Sequence, residues 1–334
     1  MEVSEDKKLA VIILNWNGLE LLRKFLPTAV TNTRGPEVDL IVADNGSTDG
    51  SVRWVMENYP DLKLIVLDKN YGYAGGYNRV IDRTRYPYTI LLNSDVEVEE
   101  GWWQPLLRFM ENNPDVGAVQ PKIKSFHRKD YFEYAGAAGG LLDKNGYPYC
   151  RGRVFDIIEK DEGQYDGKVA DICWASGAAL AVNTEVYLEL GGLDTLFFAH
   201  MEEIDLCCRM LIKGYRVCMI PDSQVFHVGG ASLNQGNPRK TYLNFRNNLL
   251  LLYKNLPVKG RERKLIIRRL LDTLAFFMFV VKMDFGNAGA ILKAHRDYRK
   301  LKKNYPVESA VPENFKFPGS RKNILIERYL KTKI

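Results

Sequence analysis

The stretch Tyr88-Thr89-Ile90-Leu91-Leu92-Asn93-Ser94-Asp95-Val96-Glu97 decides how this chain folds. Its first half is a short run of apolar and β-branched residues, which reads as a buried strand. Its second half is a polar corner carrying one carboxylate, Asp95. In open α/β sheets, ligands bind beyond the carboxyl ends of the strands, so Asp95 stands where chemistry sits in such folds. A helix-like segment, residues 101–113, is expected to follow at once. A hard carboxylate oxygen here suits Mg²⁺ or Mn²⁺, with a phosphate-bearing ligand supplying the other oxygens. Asp also ends strands with no further role, so the neighbouring segments must decide.

Upstream, residues 9–16 read as an apolar strand closing in Asn15-Trp16-Asn17-Gly18. Residues 19–32 carry helical spacing at Leu22, Phe25, Leu26 and Ala29. A second strand, 38–43, closes in Asp44-Asn45-Gly46-Ser47-Thr48-Asp49-Gly50. A helix over 51–59 and a strand over 63–67 follow, and Asn70-Tyr71-Gly72-Tyr73-Ala74-Gly75-Gly76-Tyr77-Asn78 opens a helix reaching about residue 85. This alternation argues for an α/β fold with a mostly parallel sheet between helix layers. Downstream, 117–123 reads as a strand, and the Gly- and Tyr-rich residues 131–171 as long loops over an active-site face. Strands are expected at 176–182, 216–220 and 225–228, with a helix at 202–213; from residue 239 only helical periodicity remains.

The chain of 334 residues, 46% hydrophobic and 26% charged, is long enough for one large domain or a domain with an extension. Its net charge of +6 is uneven. Residues 259–303 hold thirteen Lys/Arg against four Asp/Glu, a balance of +9 that leaves −3 for the rest. The basic character therefore speaks of a surface partner of that segment. Cys150, Cys173, Cys207, Cys208 and Cys218 show no paired metal spacing and read as reduced thiols of a cytoplasmic protein. The charged N-terminus leads straight into a strand without the pattern of a signal peptide, and no run of eighteen uncharged apolar residues suggests a spanning helix.

Several residue types invite chemistry. A carboxylate at Asp44 can accept the imide N–H of uracil or thymine, which cytosine lacks, although Asp before Asn-Gly often only caps a turn. Gly72, Gly75 and Gly76 would let backbone approach phosphate at a helix N-terminus. Their spacing is not the dinucleotide Gly-x-Gly-x-x-Gly, and they follow the third strand, so a nicotinamide cofactor is not expected. Glu202, Glu203 and Asp205 suit the positive end of a helix, and Asp205 can pair with Arg209 at i,i+4. They are equally a candidate general-base site. His227, before Gly229-Gly230, is either structural or a metal ligand.

In chain order, Asn15-Trp16-Asn17, Asp44-Asn45-Gly46-Ser47-Thr48-Asp49, residues 70–78, Leu92-Asn93-Ser94-Asp95, Ser176-Gly177-Ala178, residues 202–206 and residues 227–230 resemble the family 2 glycosyltransferases. The resemblance is closest to the rhamnosyltransferase-like branch of bacterial surface-polysaccharide assembly and covers about residues 8–250. It implies a GT-A fold: a Rossmann-like mixed, mostly parallel sheet between helices, with a C-terminal helical extension. Residues 1–238 would form the nucleotide-sugar-binding and catalytic domain, and 239–334 a basic helical extension. It further implies an inverting, metal-dependent transfer from a UDP- or dTDP-sugar, dTDP-L-rhamnose among the candidates. The acceptor would be a hydroxyl of a glycan or lipid-linked glycan.

Residue by residue, Asp44 falls on the family's base-binding Asp. Asn93-Ser94-Asp95 falls on its Asp-x-Asp metal motif, of which only the last acid is present. Asp95 would then hold Mg²⁺ or Mn²⁺ nearly alone, Asn93 and Ser94 would reach ribose or water, and His227 would complete the metal site. Glu202-Glu203 stands where the family has Glu-Asp; Glu203 aligns with the usual base and Glu202 is the alternative. Asn15, Asn17, Gly75, Gly76 and Asn78 complete the expected donor-binding set. The competing activity is a nucleotidyltransferase acting on a sugar phosphate. That would need a Gly-rich phosphate loop near the first strand, where Asn15-Trp16-Asn17-Gly18 stands instead.

Within the basic segment, residues 274–281 are uncharged and Phe-rich, and residues 288–301 form a second basic helix. A Phe-rich helix flanked by Arg and Lys can lie on an anionic membrane surface, here the inner face of the cell membrane. The plainer expectation is a helical hairpin bracing the catalytic domain. No nucleic-acid recognition motif accompanies the basic residues.

Overall fold

The computed structural model describes residues 6–154, 156–229, 236–307, 311–319 and 323–324. Gly230 and residues 1–5, on which two of the expectations rest in part, lie outside them. The first half alternates as expected: β1 (Leu9–Asn15), α1 (Leu19–Asn32), β2 (Val38–Asp44), α2 (Ser51–Asn58), β3 (Lys63–Val66), α3 (Gly72–Thr84) and β4 (Tyr88–Asn93). Next come β5 (Val96–Val98), α4 (Gln104–Asn112) and β6 (Val116–Ser125). A separate antiparallel meander consists of β7 (Gly140–Leu142), β8 (Pro148–Cys150), β9 (Arg153–Val154) and β10 (Ile157–Ile158). Then follow β11 (Ala170–Asp171), β12 (Ala179–Asn183), α5 (Thr184–Glu189), α6 (Glu202–Lys213) and β13 (Arg216–His227). Three helices close the described chain: α7 (Pro238–Asn255), α8 (Val258–Val281) and α9 (Phe285–Leu301). All five cysteines are free and buried.

The main sheet runs β11-β13-β6-β12-β4-β1-β2-β3, with β5 paired to the end of β13. Strands β3, β2, β1 and β4 are mutually parallel, β12 is antiparallel to β4 and β6, and β6 is parallel to β13. The sheet is buried on both faces, which is why its strands are apolar throughout rather than alternating. Ala10 and Ile12 face a core shared with Val80 and Ile81 of α3, Leu206 of α6 and Leu249 of α7. Leu9, Val11 and Ile13 face the other side, with Leu22 and Leu26 of α1 and Leu106 of α4. Each fully buried Val, Leu or Ile among them stabilises the fold by about 1.5–3 kcal/mol.

Three expectations are corrected. The helix does not follow Asp95 at once: β5 intervenes, drawn out by pairing of Val96 with His227 and Val98 with Val225. Residues 216–228 hold one long strand rather than two. Pro221-Asp222-Ser223 bulges out between Ile220 and Gln224 while pairing with β6 continues on both sides. Residues 131–171 are not loops alone but carry the meander of β7 to β10.

Among the described residues, no helix is long and apolar enough to cross a membrane. In α8, regular helix resumes after the non-helical Lys259 and Gly260. Its buried side packs Arg268 against Asp272 and Asn248, and His295 of α9 reaches the same Asp272. Phe276 and Phe279 are half-buried, whereas Leu270, Leu274, Phe277, Met278 and Val281 are exposed.

Candidate active site

The parallel strands bring their carboxyl ends into line: Asn15 of β1 lies opposite Asp44 of β2, and Leu14 opposite Asn93 of β4. Side chains then stitch the corners together. The Asp44 carboxylate accepts from the Ser47 backbone N–H at 2.8 Å and from the Asn15 amide at 3.0 Å. The same Asn15 amide donates to Ser47 Oγ at 3.2 Å, and its buried Oδ1 has no hydrogen-bond partner. Asn17 adopts a left-handed φ of 48°, with its Oδ1 accepting from the Thr48 N–H at 2.8 Å. Asn45 joins this corner to the next one, donating to the Gly72 carbonyl at 3.0 Å and accepting from the Tyr71 N–H at 3.0 Å.

The glycines of α3 have a packing reason to be glycines. A Cβ on Gly76 would lie 2.8 Å from Leu14 Cδ2, and one on Gly75 would lie 3.0 Å from Tyr71 Cβ. Gly72 starts the helix at φ +73°, under the ring of Phe198. Asn78 is fully engaged as a tether, donating to the Leu193 carbonyl at 2.7 Å and accepting from the Tyr187 hydroxyl at 2.5 Å.

Asp95 sits in the turn between β4 and β5, only 7% exposed. Its Oδ1 lies 3.1 Å from Nε2 of His227. The β5–β13 pairing makes this meeting possible, because it sets His227 opposite Val96. On the far side of the imidazole, Glu133 lies 3.4 Å from Nδ1, without hydrogen-bond geometry. Burial opposes a charge on His227, but Asp95 and Glu133 outweigh it and push its pKa up to about 10. Asn93 and Ser94 flank the turn, half-buried.

These donors fit a divalent ion. One hard carboxylate oxygen and one imidazole nitrogen meet at 3.1 Å, with a second carboxylate near the other imidazole nitrogen; an ion's charge would displace the imidazole proton that the two carboxylates otherwise retain. Among the described residues, no three or more His, Cys, Asp or Glu side chains form a complete cage. An ion here would take its remaining ligands from phosphate oxygens and water.

The acid pair begins α6. Residues 196–201 approach it through left-handed φ values at Phe198, His200 and Met201. Two adjacent residues of α7 hold that loop. Asn247 donates to the carbonyls of Phe197, Ala199 and His200 at 3.0, 2.9 and 2.6 Å. Arg246 donates to those of Leu196 and Phe197 at 3.1 and 2.8 Å. One turn into α6, Asp205 is fully buried and bonded to Arg209, Lys254 and Asn255 at 2.8, 2.9 and 2.8 Å. Burial would raise its pKa, but Arg209 and Lys254 hold it below the usual carboxylate range. Asp205 is thus a structural anchor.

Glu202 and Glu203 differ from it: each has a buried Oε2 with no hydrogen-bond partner. Burial pushes Glu203 up to about 7, partly offset by backbone N–H groups of the helix's first turn. Burial, and after it the charge of Glu203, also hold Glu202 well above the usual carboxylate range. On α3, the rings of Tyr73 and Tyr77 stand 4.7 Å apart. Tyr73 feels the two glutamates and Tyr77 feels Asp95, so the acid pair and the Asp95 corner address one face of α3.

Sequence reasoning missed Glu133, Asn45, Arg246 and Asn247. Nothing near Glu133 signals its role, since it reaches His227 from the loosely patterned region. Arg246-Asn247-Asn248, buried before a run of four leucines, is a readable signal: polar groups on a core-facing helix must have partners.

Residues 10–174 match the family model for glycosyl transferase family 2. N-acetylglucosaminyl-diphospho-decaprenol L-rhamnosyltransferase of Mycobacterium tuberculosis is 27% identical over 237 residues, covering 66% of this chain and 75% of that one. The dTDP-rhamnosyl transferase RfbF of Shigella flexneri is 25% identical over 264 residues, covering 75% and 83%. Among solved structures, the mannosyltransferase PcManGT of Pyrobaculum calidifontis, in complex with GDP-Man and Mn²⁺, superposes with a TM-score of 0.52. It is 16% identical, over 90% of this chain and 84% of that one. GalNAc-T7 with UDP, GalNAc and Mn²⁺ superposes with a TM-score of 0.58 at 15% identity. That match takes in 75% of this chain but only 48% of the other. The fold is thus GT-A-like, with C-terminal helices.

Proposed function

This protein is a glycosyltransferase of family 2, and from that premise we propose that it is an inverting, metal-dependent enzyme. It takes a sugar from a UDP- or dTDP-donor, dTDP-L-rhamnose foremost, and adds it to a hydroxyl of a glycan or lipid-linked glycan. The observation that carries the reading is the 3.1 Å approach of His227 to Asp95 at the strand ends. The rhamnosyl relatives support the choice of sugar, and the decaprenol-linked one the choice of acceptor. The nucleotidyltransferase alternative falls with the family assignment.

In this reading Asp95 and His227 hold Mg²⁺ or Mn²⁺, which when bound neutralises charge on the departing diphosphate. Asp44 uses its remaining lone pairs to accept the imide N–H of the base, and Asn15 and Ser47 fix its orientation. Asn17, Asn93 and Ser94 line the ribose side, Gly75 and Gly76 shape the helix start beneath the phosphates, and Asn78 tethers that helix to Leu193 and Tyr187. The acceptor oxygen attacks the anomeric carbon from the face opposite the diphosphate. As the new C–O bond forms, the bond to the diphosphate oxygen breaks and the hydroxyl proton passes to Glu203. Glu203 is the base in this reading because it stands where the family's usual base aligns, with a carboxyl that burial raises toward neutrality. Residues 1–238 act as the catalytic domain and 239–334 as an extension. The enzyme works in the cytoplasm with a peripheral hold on the inner membrane face.

A titration of UDP, dTDP, GDP and CDP with Mn²⁺, read by heat or thermal shift, tests the donor. UDP or dTDP should bind in preference to CDP. Asp44→Asn should weaken that binding by about 1.5–3 kcal/mol, the range for a hydrogen bond to a charged group. Selective CDP binding would reject the imide assignment.

A further inference from the structure

A cavity of about 690 Å³ opens between α7 and α9, beside Phe198. Its lining is unusual in charge. Arg239, Arg246 and Lys293 all border it, together with Phe198, Tyr242 and Gly289. Among the described residues, none of these three cations forms an ion pair with a carboxylate. Arg246 is buried, yet its guanidinium bonds only to neutral acceptors: two carbonyls, the Asn247 side chain and the Tyr242 hydroxyl. Arg239 lies over the Phe198 ring at 5.5 Å and Lys293 over the Tyr242 ring at 4.8 Å. The acids nearby are engaged elsewhere. Asp297 accepts from the Tyr242 hydroxyl at 3.0 Å and pairs with Arg296, and Asp284 caps α9 through Asn287. A buried guanidinium without a counter-ion, beside two more cations, is a site for an anion with several acceptor oxygens.

The cavity also has an apolar rim. Gly286, which lines it, follows Phe285, and Met283 stands three residues before it; Met283 and Phe285 are 76% and 63% exposed. Val281 before the turn and Leu292 on α9 are exposed as well, at 82% and 59%. Cationic cavity and apolar rim together describe an amphiphile: an anionic headgroup in the cavity and a hydrocarbon chain over the turn. The cavity further shares the loop of residues 196–201 with the reacting site. Phe198 lines the cavity, while the same loop ends at Glu202 and Glu203.

We propose that this cavity binds the diphosphate of a lipid-linked acceptor, with the hydrocarbon chain leaving over the α8–α9 turn. The inference rests on the glycosyltransfer reading above and names the part of the acceptor that the catalytic corner does not touch. Arg239 and Lys293 clamp phosphate oxygens, Arg246 supplies the buried charge, and the glycan is left to reach the glutamate across the loop.

The test uses the full chain and farnesyl diphosphate as probe, in EDTA so that a metal-dependent donor site does not take up the diphosphate. Inorganic pyrophosphate and farnesol are the comparison ligands. The parent should bind farnesyl diphosphate at least about tenfold more tightly than either half-ligand. Arg239→Ala with Lys293→Ala should weaken that binding by roughly tenfold or more, the loss expected for hydrogen bonds between charged groups. Gly289→Leu keeps every charge and fills the cavity from a position where an added Cβ meets nothing within 4 Å; it should weaken binding comparably. Pyrophosphate binding as tight as that of farnesyl diphosphate, or variants that bind like the parent, would overturn the proposal. Binding of dTDP with Mn²⁺, measured on the same proteins, separates the two readings. A parent that binds no nucleotide defeats the donor assignment. Nucleotide binding combined with cavity variants that leave farnesyl diphosphate binding intact defeats this inference alone.

Discussion

Asp95 has no acidic neighbour in its own motif, since Asn93 and Ser94 occupy the two preceding positions. One carboxylate must then do what two usually share, so Asp95→Ala should abolish transfer and the metal-dependent part of nucleotide binding. His227→Ala should weaken metal affinity less, because the carboxylate remains. Near-normal turnover of Asp95→Ala with Mn²⁺ would remove Asp95 from the metal site. Glu203 carries a different kind of constraint. Its pKa is raised by burial from 4.5 to about 7, so the folded state holds the proton more tightly than the unfolded one. The stability this contributes is fully present below about pH 4.5 and is lost as pH rises through 7. Glu203→Gln cannot ionise, so its melting temperature should exceed the parent's at pH 8 and approach it at pH 4. Turnover should fall roughly 10²–10⁴-fold, and the rise in parental activity through pH 7 should vanish. A melting difference independent of pH would reject the burial argument. At this scale the sequence was most legible where a residue ends a strand. Asp44 and Asp95 could be placed from the apolar runs before them. Glu133 could not, because its partner His227 is brought to it by a pairing that no local pattern encodes.

At the scale of elements, periodicity found the buried parallel strands and the amphipathic helices, and α1 and α6 begin and end where their spacing predicts. It failed where non-local pairing overrides local punctuation. Pro221-Asp222 reads as a turn, yet β13 stays in register with β6 on both sides of the bulge. β5 is too short to announce itself and exists because β13 offers it an edge. The loop at 196–201 shows what such assembly achieves. Three left-handed non-glycine residues are costly, about 1–3 kcal/mol each, and α7 offsets that cost through Arg246 and Asn247. Asn247→Leu keeps the helix and removes three donors to the loop carbonyls. It should lower kcat by more than it weakens dTDP binding, because the loop ends at the glutamates and touches the start of α3 only through Phe198. A proportional loss of nucleotide binding, measured on the same variant, would mean that α7 braces the whole sheet end instead.

For the whole molecule, the question is what covers the outer face of α8. Ile266, Leu270, Leu274, Phe277, Met278 and Val281 recur at spacings of three and four and all are more than half exposed. A contiguous exposed apolar face of this kind marks an interaction surface. Residues 259–303 around it carry the +9 balance, which favours an anionic membrane over an acidic or apolar protein patch. Basic residues near such a surface contribute about 1 kcal/mol each, and the inserted aromatic and aliphatic groups supply the rest. Half-buried Phe276 and Phe279 belong to the packing of the helix. Phe277→Ser with Met278→Ser removes two side chains that are 57% and 61% exposed and leaves Arg268, Asp272 and His295 in place beneath them. The full chain should sediment with vesicles containing phosphatidylglycerol and be released in part by high salt, as a surface attraction requires. The double variant should stay in the supernatant while melting at the parental temperature and binding dTDP as before. Equal sedimentation of parent and variant would assign the attraction to charge alone. A large drop in melting temperature would mean that the face is covered by protein, as in a hairpin that braces the fold.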